Sequence, residues 1–444
     1  MKKRIFTLML AAFCLLSLLT GCVSKDKPSS EDPVTLSMWH VYGSQTKSPL
    51  NTAIDEFNNT IGKENGITVN VVSVTSSSAI DKALAASANA EPGAEELPDL
   101  FTAYPRAAQI VGTDRLLAWD PYFSEAELSM FKQEFLQEGY FDSRLLMLPV
   151  AKSTEAFFLN KTLFSNFSAQ TGVSMEQLQS FEGLFAAANV YYDWSGGKCF
   201  CAFDYLIRHM EFDLMAQTGG IEYTEDGWYH LEDPAVKASW MKFALPFAQG
   251  HICVSDTYSN TQVMTGETLA GIGSTASITY YNDTVTYPDN TSEPMNLVVL
   301  PLPKTGDGTQ YMPITGVGMS AFKSDDERKA EAAAEFLRWF TESQRNLDFV
   351  VETGYMPVRT DAFASIDNYA FPTEGYASLY DTIKVMLENY EPVVRPDFDG
   401  FYKRVTALYD GLRQIQPDLL VRAGNGEDVG ALAEEVWDFL CSVE

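Results

Sequence analysis

Side chains suited to binding a small polar molecule are concentrated in two short stretches of the first quarter of the chain. Both stretches place aromatic rings beside hydroxyl, amide, imidazole or guanidinium groups. The residues are Trp39, His40, Tyr42, Ser44, Gln45, Tyr104 and Arg106. Aromatic rings supply apolar contact area and polar groups set orientation, so this mixture is typical of ligand recognition.

Signatures of catalysis are scarce in the sequence. The histidines at 40, 209, 230 and 251 form no His-Glu-x-x-His motif, and neither Gly-x-Ser-x-Gly nor a Walker loop occurs. Gly271-Ile272-Gly273 lacks the third glycine of a dinucleotide-binding loop. Glycosidase carboxylates can lie far apart in sequence, so the 60 acidic residues leave a glycan-cleaving enzyme open.

The elements expected around the two stretches are those of an α/β domain. Val34, Leu36 and Met38 alternate with polar residues, which predicts a strand with one buried face. Apolar residues at helical spacing from Leu50 to Ile61 predict a helix, and Ile67 to Val74 predicts the next strand. The order strand, helix, strand favours a parallel sheet.

A further short strand is predicted from Leu97 to Phe101, just before Tyr104 and Arg106. Ligands of open α/β sheets bind beyond the carboxyl ends of the strands. We therefore expect both aromatic stretches at one edge of the same sheet.

The chain begins with the pattern of an export signal. Cationic residues 2–4 precede an apolar run from Ile5 to Leu19, which is shorter than the roughly 20 residues that a membrane span needs. The run ends in Leu19-Thr20-Gly21-Cys22, which resembles the bacterial lipobox. Residues 1–21 are therefore expected to be a cleaved signal peptide, and residues 22–33 a flexible tether whose cysteine carries lipid.

Length and composition indicate a globular chain with two domains. The 444 residues exceed what one hydrophobic core usually serves, and 46% hydrophobic residues suffice for large cores. The formal net charge is −29 and no basic run occurs. Nucleic acids and anionic lipid surfaces are therefore disfavoured as partners.

Four cysteines remain once the signal and the lipobox are set aside: Cys199, Cys201, Cys253 and Cys441. The Cys-x-Cys pair lacks the second pair and the histidines of a zinc site, so we expect neither a metal nor a cofactor. Buried thiols acting as small apolar residues are favoured, and a disulfide remains open.

Several short segments keep a shared order over residues 34–358. They are Thr35–His40, Ile54–Asn58 before Ile67–Val69, Leu97–Leu100, Leu148-Pro149 followed by Asn160-Lys161, Ala332–Leu337 and Gly354–Val358. Together they resemble the extracellular solute-binding proteins (family 1) of carbohydrate-type ABC importers, which include maltose-binding and glycerol-phosphate-binding proteins. The resemblance implies an α/β fold of the type II periplasmic-binding-protein kind, with two lobes, each a sheet flanked by helices, and a ligand cleft between them.

The resemblance also implies that each lobe is discontinuous. Residues 34–151 and 275–322 would form the N-terminal lobe, and residues 152–274 and 323–444 the C-terminal lobe. The crossings would lie near Val150–Thr154, Leu269–Thr275 and Ala321–Asp325.

Further candidate ligand residues complete the set. Glu155 could accept hydrogen bonds from two hydroxyls or be an ordinary solvated carboxylate, and Trp194 lies where a loop could cover the cleft. The other candidates are Ser153, Trp228, Ser274 and Tyr280. In the first lobe, Trp39 also fits a core aromatic, and His40 a hydrogen-bonded loop histidine.

The function expected from the resemblance is capture of a sugar or oligosaccharide by a lipid-anchored monomer at the extracytoplasmic face of the cell membrane. The permease subunits of an ABC importer would be its partners, and nucleic acid would not. A glycan-cleaving lipoprotein and a peptide- or protein-binding lipoprotein are the alternatives.

Ligand should close the two lobes by hinge bending, because it binds the closed state more tightly. Small-angle scattering should then show a smaller radius of gyration at saturating ligand. An unchanged radius would count against hinge closure.

Overall fold

The computed structural model describes residues 27–42, 48–395, 398 and 400–443. Cys22, Ser44 and Gln45, predicted to carry lipid or to contact ligand, lie outside the described residues. The chain divides into two units. Unit 1 comprises Met1–Val150 and Val317–Arg345, and unit 2 comprises Ala151–Gly316 and Asn346–Glu444.

Strands and helices alternate along the chain, as predicted for an α/β protein. The strands are β1 (Val34–His40), β2 (Ile67–Val74), β3 (Leu100–Ala103), β4 (Tyr140–Phe141), β5 (Arg144–Leu145), β6 (Leu148–Pro149), β7 (Glu155–Asn160), β8 (Cys201–Phe203), β9 (Ile252–Val254), β10 (Ala270–Ser274), β11 (Thr284–Thr286), β12 (Ser292–Pro294), β13 (Leu297–Leu300), β14 (Tyr311–Pro313), β15 (Gly318–Ala321) and β16 (Glu391–Val393). The helices are α1 (Pro49–Asn59), α2 (Ile61–Asn65), α3 (Ser77–Ala88), α4 (Arg106–Val111), α5 (Glu125–Leu128), α6 (Gln133–Gln137), α7 (Lys161–Thr171), α8 (Phe181–Ser195), α9 (Leu206–Thr218), α10 (Pro234–Ala248), α11 (Ser259–Met264), α12 (Glu327–Phe340), α13 (Ser343–Thr353), α14 (Thr360–Ser365), α15 (Glu374–Asn389), α16 (Phe401–Gly424) and α17 (Val429–Ser442). Short 3-10 helices cover Thr113–Arg115, Met175–Gln179, Thr275–Tyr280 and Ile366–Asn368. Within the described ranges, none of the helices has both the length and the apolar character needed to cross a membrane.

The observed units differ from the predicted lobes in two segments. Residues 275–316, predicted in the N-terminal lobe, belong to unit 2, because β13 pairs antiparallel with β7. Residues 323–345, predicted in the C-terminal lobe, belong to unit 1, where Phe336 of α12 packs edge-on against Phe57 of α1 with ring centroids 5.1 Å apart. Local sequence patterns do not reveal which sheet a later strand or helix will join.

Unit 1 is built on a five-stranded sheet of order β2-β1-β3-β15-β6. β1 runs parallel to β2 and β3, whereas β15 runs antiparallel to β3 and β6. The carboxyl ends of the three parallel strands, at His40, Val74 and Ala103, therefore share one edge, the carboxyl edge of unit 1.

Asp99 fixes the junction between β1 and β3. Its Oδ2 accepts hydrogen bonds from the backbone N–H and the hydroxyl of Ser37 at 2.8 and 2.9 Å, and Lys329 Nζ lies 2.7 Å from its Oδ1. β3 begins at Leu100 rather than at the predicted Leu97, since Pro98 has no N–H to donate to the ladder.

Asn58 of α1 attaches its helix to β2, which lies at the end of the sheet. The side-chain amide donates to the carbonyl oxygen of Val69 at 2.8 Å, and the side-chain oxygen accepts from the Val69 N–H at 2.8 Å. The Asn58 side chain thus pairs with both backbone groups of Val69, on the side of β2 away from β1.

Unit 2 contains a second five-stranded sheet, of order β13-β7-β10-β8-β9. β8 runs parallel to β9 and β10, and β7 runs antiparallel to β10 and β13. All six residues of β7 are buried. The carboxyl ends of β8, β9 and β10 meet the amino end of β7 at one edge, the carboxyl edge of unit 2.

Replacing Asn58 by alanine should lower the free energy of unfolding by about 1–3 kcal/mol, because both backbone groups of Val69 lose their partner. The matched control is Asn59→Ala on the same helix, where an exposed amide donates to the Asp55 carbonyl at 2.7 Å. That variant should change stability by less than about 0.5 kcal/mol. Urea unfolding followed by tryptophan fluorescence compares the two, and equal losses would contradict the role given to Asn58.

Candidate functional site

The carboxyl edge of unit 1 brings together three of the predicted residues. Tyr42 follows β1, and Tyr104 and Arg106 follow β3. The Val41 N–H donates to Thr102 Oγ1 at 3.2 Å, which holds the ends of the two strands together. Tyr42 is buried, whereas Tyr104 and Arg106 are half-buried.

Trp39 lies in the core of unit 1 and is only 2% exposed. It belongs to a cluster that includes Phe101 and Leu84. The sequence interpretation ended the strand at Met38, but β1 continues to His40 and its register shifts between Met38 and Trp39. The indole is therefore part of the strand rather than of the loop, and we do not retain it as a ligand contact.

His40 is fully buried and held by two hydrogen bonds. Its Nδ1 accepts from the Tyr42 N–H at 3.2 Å, so the proton resides on Nε2, which lies 2.6 Å from Asn51 Oδ1. Burial lowers the pKa of the imidazole, partly offset by the hydrogen bond to Asn51. His40 is thus a neutral histidine that connects the end of β1 to α1.

The carboxyl edge of unit 2 carries a denser polar cluster. Ser274 ends β10 opposite Glu155, the first residue of β7. Asp204 follows β8, and Ser255 follows β9. The sequence singled out Glu155, Ser153 and Ser274 but missed Asp204, which a check of every residue after a strand would have found.

Glu155 is 2% exposed and lies between Arg208 and His209 of α9. Its Oε1 forms an ion pair with Arg208, and His209 Nε2 lies 3.3 Å from its Oε2. Burial raises the pKa of the carboxyl, but Arg208 and His209 together outweigh burial and hold the pKa below its usual value. Glu155 is therefore ionised and attaches α9 to the start of β7, so it is not the solvated carboxylate of the alternative interpretation.

Asp204 accepts two hydrogen bonds on the same oxygen. Ser255 Oγ and the Ser259 N–H lie 2.8 and 2.6 Å from Oδ1. Burial raises the pKa of Asp204 to about 6 despite these bonds, and the charge of Glu155 adds to the rise. One edge thus holds an ionised carboxylate and one that titrates near pH 6.

Exposed tyrosines surround this cluster. They are Tyr205 (37% exposed), Tyr258 (58%), Tyr280 (57%) and Tyr402 (51%). The first three follow β8, β9 and β10, and Tyr402 lies in the first turn of α16. Tyr402 lies near Arg208 and, after Glu155, contributes to the raised pKa of that guanidinium. The Arg208 guanidinium lies over the Tyr205 ring, 4.7 Å from its centroid. Only Tyr280 was predicted from the sequence.

A cavity of about 190 Å³ opens beside Arg208 within unit 2. Its walls include Arg208, Glu211, Phe212, Tyr223, Val394 and Arg395. Arg208, Glu211, Phe212 and Met215 share one face of α9 because they recur at helical spacing. Ligand pockets for drug-sized molecules usually measure roughly 300–1,000 Å³, so this cavity alone accommodates a small ligand group.

Glu211 organises the cavity wall. Its Oε1 accepts from Tyr229 Oη at 2.6 Å, Arg395 Nε at 2.9 Å and Tyr223 Oη at 3.3 Å. Arg395 Nη2 is buried and, among the residues that the structure describes, has no hydrogen-bond partner.

The remaining predicted residues do not contribute exposed groups to the edge. Trp194 packs against Phe167 and Tyr191, near the start of β8 and so at the opposite end of the strands. Trp228 is 4% exposed and packs against Phe401. Ser153 is buried with its hydroxyl 2.8 Å from Thr315 Oγ1. Over the described part of the chain, no three His, Cys, Asp or Glu side chains are grouped to hold a metal ion.

Comparison with known proteins identifies the fold. Residues 52–373 match the family described as bacterial extracellular solute-binding protein. The fold is similar to that of a cyclic alpha-maltosyl-1,6-maltose binding protein from Arthrobacter globiformis (TM-score 0.65, 17% identity, 92% of this chain and 98% of that chain). It is also similar to UgpB from Mycobacterium tuberculosis in complex with glycerophosphocholine (TM-score 0.62, 20% identity, 92% and 98%) and to the sugar-binding protein MalE from Xanthomonas citri (TM-score 0.64, 15% identity, 92% and 98%). No curated protein sequence matches the chain. The predicted type II periplasmic-binding-protein fold is confirmed.

Replacing Asp204 by asparagine should reveal the raised pKa. The neutral amide can keep both hydrogen bonds through its oxygen, but it does not ionise. Between the ordinary pKa of 3.8 and the folded value of about 6, the folded wild type binds more protons than the unfolded chain, so its stability falls as pH rises. The unfolding free energy of Asp204→Asn should therefore increase relative to the wild type between pH 4 and pH 7.

The control for this titration is Asp226→Asn. Hydrogen bonds from Thr224 and Arg404 lower the pKa of Asp226 to about 2, so its contribution should be constant above roughly pH 5. Urea unfolding across the pH range measures both differences. A gap between wild type and Asp204→Asn that does not vary with pH would contradict the assignment.

Proposed function

The chain belongs to the bacterial extracellular solute-binding proteins, and from that membership we propose that it captures a sugar or oligosaccharide for an ABC importer. The observation that supports this most directly is the group of exposed tyrosines at the carboxyl edge of unit 2. Tyr205, Tyr258 and Tyr280 follow the strands that end at this edge, which also carries an ionised carboxylate and a titratable one, and Arg208 lines a small cavity beside it.

Tyrosine rings suit the two faces of a sugar. The ring stacks on apolar C–H surfaces at low entropic cost, and the hydroxyl group exchanges hydrogen bonds with those of the sugar. Exposed aromatic rings grouped at one edge mark an interaction site, because large aromatic side chains are ordinarily buried on average. Two of the similar structures are, by their descriptions, maltose- or sugar-binding proteins, which agrees with this ligand class.

The charges around both edges favour a neutral ligand over a phosphate. Arg208 is paired with Glu155, Arg395 with Glu211, and Arg106 with Asp81 at 2.6 Å. A phosphodiester such as the glycerophosphocholine bound by UgpB would have to compete with these carboxylates for the same cations. Neutral hydroxyls meet no such competition.

Delivery and anchoring complete the proposal. We infer that Cys22 carries the lipid that keeps the protein at the extracytoplasmic face of the membrane, since it ends a lipobox-like sequence. The monomeric protein would then transfer its solute to the permease subunits of the importer. Multiple acyl chains would make this anchorage lasting.

A glycan-cleaving enzyme is the second candidate, because Glu155 and Asp204 have pKa values shifted in opposite directions. In a glycosidase the general acid needs a raised pKa, and the nucleophile needs a pKa low enough to stay ionised. Against it, Glu155 is 2% exposed and both of its oxygens face Arg208 or His209, which leaves no route to a substrate. The carboxyl pair is better explained as support for α9 and for the loops that carry the tyrosines.

Binding should be tested on protein lacking residues 1–22, with a thermal-shift screen of mono-, di- and oligosaccharides, polyol phosphates and peptides. We expect stabilisation by a neutral saccharide, followed by a loss of affinity of roughly two- to tenfold for Tyr258→Ala in calorimetry. A stacked aromatic ring contributes about 0.5–1.5 kcal/mol, and about 1.4 kcal/mol corresponds to tenfold in affinity. Tyr192→Ala, on the far side of unit 2, is the control and should bind normally.

The outcomes separate the candidates. Release of products from glycans would favour the enzyme, and stabilisation only by peptides would favour the peptide-binding alternative. Saccharide binding that is unaffected in Tyr205→Ala, Tyr258→Ala and Tyr280→Ala would remove the tyrosines from the site.

A further inference from the structure

The cavity beside Arg208 is lined mainly by apolar side chains, although it adjoins an edge that is proposed to bind a sugar. The apolar wall consists of Phe212, Met215, Ile221, Pro313, Val393 and Val394. Burying a sugar hydroxyl against such a wall without a hydrogen bond is unfavourable, whereas burying hydrocarbon there is favourable. The wall therefore suits an apolar group better than a sugar ring.

Most of the apolar wall belongs to regular secondary structure. Phe212 and Met215 lie on the face of α9 that also carries Arg208. Pro313 of β14 pairs in register with Val393 of β16, so both side chains point to the same face of this two-stranded sheet. A helix face and a sheet face thus define the cavity, and both belong to unit 2.

The charged residues of the wall are paired within the protein. Arg208 forms an ion pair with Glu155. Arg395 Nε lies 2.9 Å from Glu211 Oε1, and the Arg395 guanidinium lies over the ring of Phe401. Because each arginine faces a carboxylate, these pairs present no net charge to an occupant of the cavity.

The volume of the cavity is that of a small hydrocarbon group. It measures about 190 Å³. A cavity of about 150 Å³ that is lined by leucine, isoleucine and phenylalanine binds benzene. A group of about six carbon atoms therefore fits here.

Arg208 belongs both to the cavity wall and to the edge that carries the tyrosines. Its guanidinium lies over the Tyr205 ring, 4.7 Å from the centroid. Val394, which also lines the cavity, is 42% exposed, so the cavity is open to solvent. A sugar stacked on Tyr205 would thus lie beside the cavity.

We propose that the cavity receives an apolar substituent of about six carbon atoms carried by the saccharide, such as the alkyl or aryl group of a glycoside. This inference rests on the proposed function, because it assigns one part of the ligand to a place next to the tyrosines. The sugar contacts the exposed rings, and the substituent lies among Phe212, Met215 and Val394. The preferred solute is then a glycoside rather than a free sugar.

The apolar character of the cavity is tested first without a sugar, on the chain lacking residues 1–22, with straight-chain alcohols from propanol to octanol. Their affinity, measured by ligand-detected NMR titration, should rise about fourfold with each added methylene and level off beyond about six carbon atoms. Val394→Trp should flatten this rise, because the larger side chain takes up space in the cavity. Ile221→Trp should do the same from a second position in the wall.

The matched control is Val385→Trp. Val385 lies on α15, does not line the cavity and is 45% exposed, close to the 42% of Val394. This variant should keep the full dependence of affinity on chain length. A series that does not rise in the wild type, or one that rises equally in Val394→Trp and Ile221→Trp, would overturn the inference.

Methyl and hexyl glycosides of glucose, galactose, mannose and maltose then test the link to the sugar by calorimetry. For at least one of these sugars, the hexyl glycoside should bind about tenfold or more tightly than both its methyl counterpart and hexanol. Val394→Trp should remove this preference, and Val385→Trp should keep it.

Two outcomes separate this inference from the proposed function. Hexyl glycosides that bind no more tightly than their methyl counterparts, while a saccharide does bind, would overturn the inference and leave the proposed function standing. Binding of the alcohols without binding of any saccharide would contradict the proposed function, and with it the assignment of the cavity to part of a glycoside.

Discussion

The ion pair between Arg208 and Glu155 is the interaction on which the rest of unit 2 depends. It joins the first turn of α9 to the first residue of β7, and both groups are largely withdrawn from water. Breaking a buried pair by removing one partner is costly because the other charge is left uncompensated. Its position fixes the direction of α9, and α9 then supplies Glu211, Phe212 and Met215 to the cavity. One electrostatic contact thus places the cavity next to the edge where the tyrosines lie.

The two units have similar strand edges, which are held by different side-chain interactions. Each has parallel strands that end at one edge, and each places aromatic and polar residues there. In unit 1, His40 at the end of β1 is bonded to Asn51 of α1, and Arg106 is held by Asp81. In unit 2, buried carboxylates hold the loops, so that rings such as Tyr258 remain exposed. The side chains nearest the strand ends support the edge, and those one to several residues farther along are available to a ligand.

Much of the fold could be predicted from local patterns, and the site only in part. Alternation and helical spacing predicted β1, α1 and β2, and the ordered short segments identified the fold. In the structure, two of those segments are joined to each other, because Asp99 accepts hydrogen bonds from Ser37. The sequence could not assign β13 or α12 to a unit, because pairing between distant segments leaves no local pattern. Trp39 was assigned to a loop because the predicted strand ended two residues before the observed end of β1. Arg208 was overlooked because its role arises from its contact with Glu155, which is distant in sequence.

The bond between Asn58 and Val69 has a consequence for copies of the protein held close together. An open strand at the border of a sheet offers N–H and C=O groups on which another chain can add a strand. In the middle of β2, the Asn58 side-chain amide bonds to both of these groups at Val69, and α1 covers them. A strand from another copy of the chain would therefore find no free N–H or C=O group at Val69, which disfavours pairing of two copies along β2.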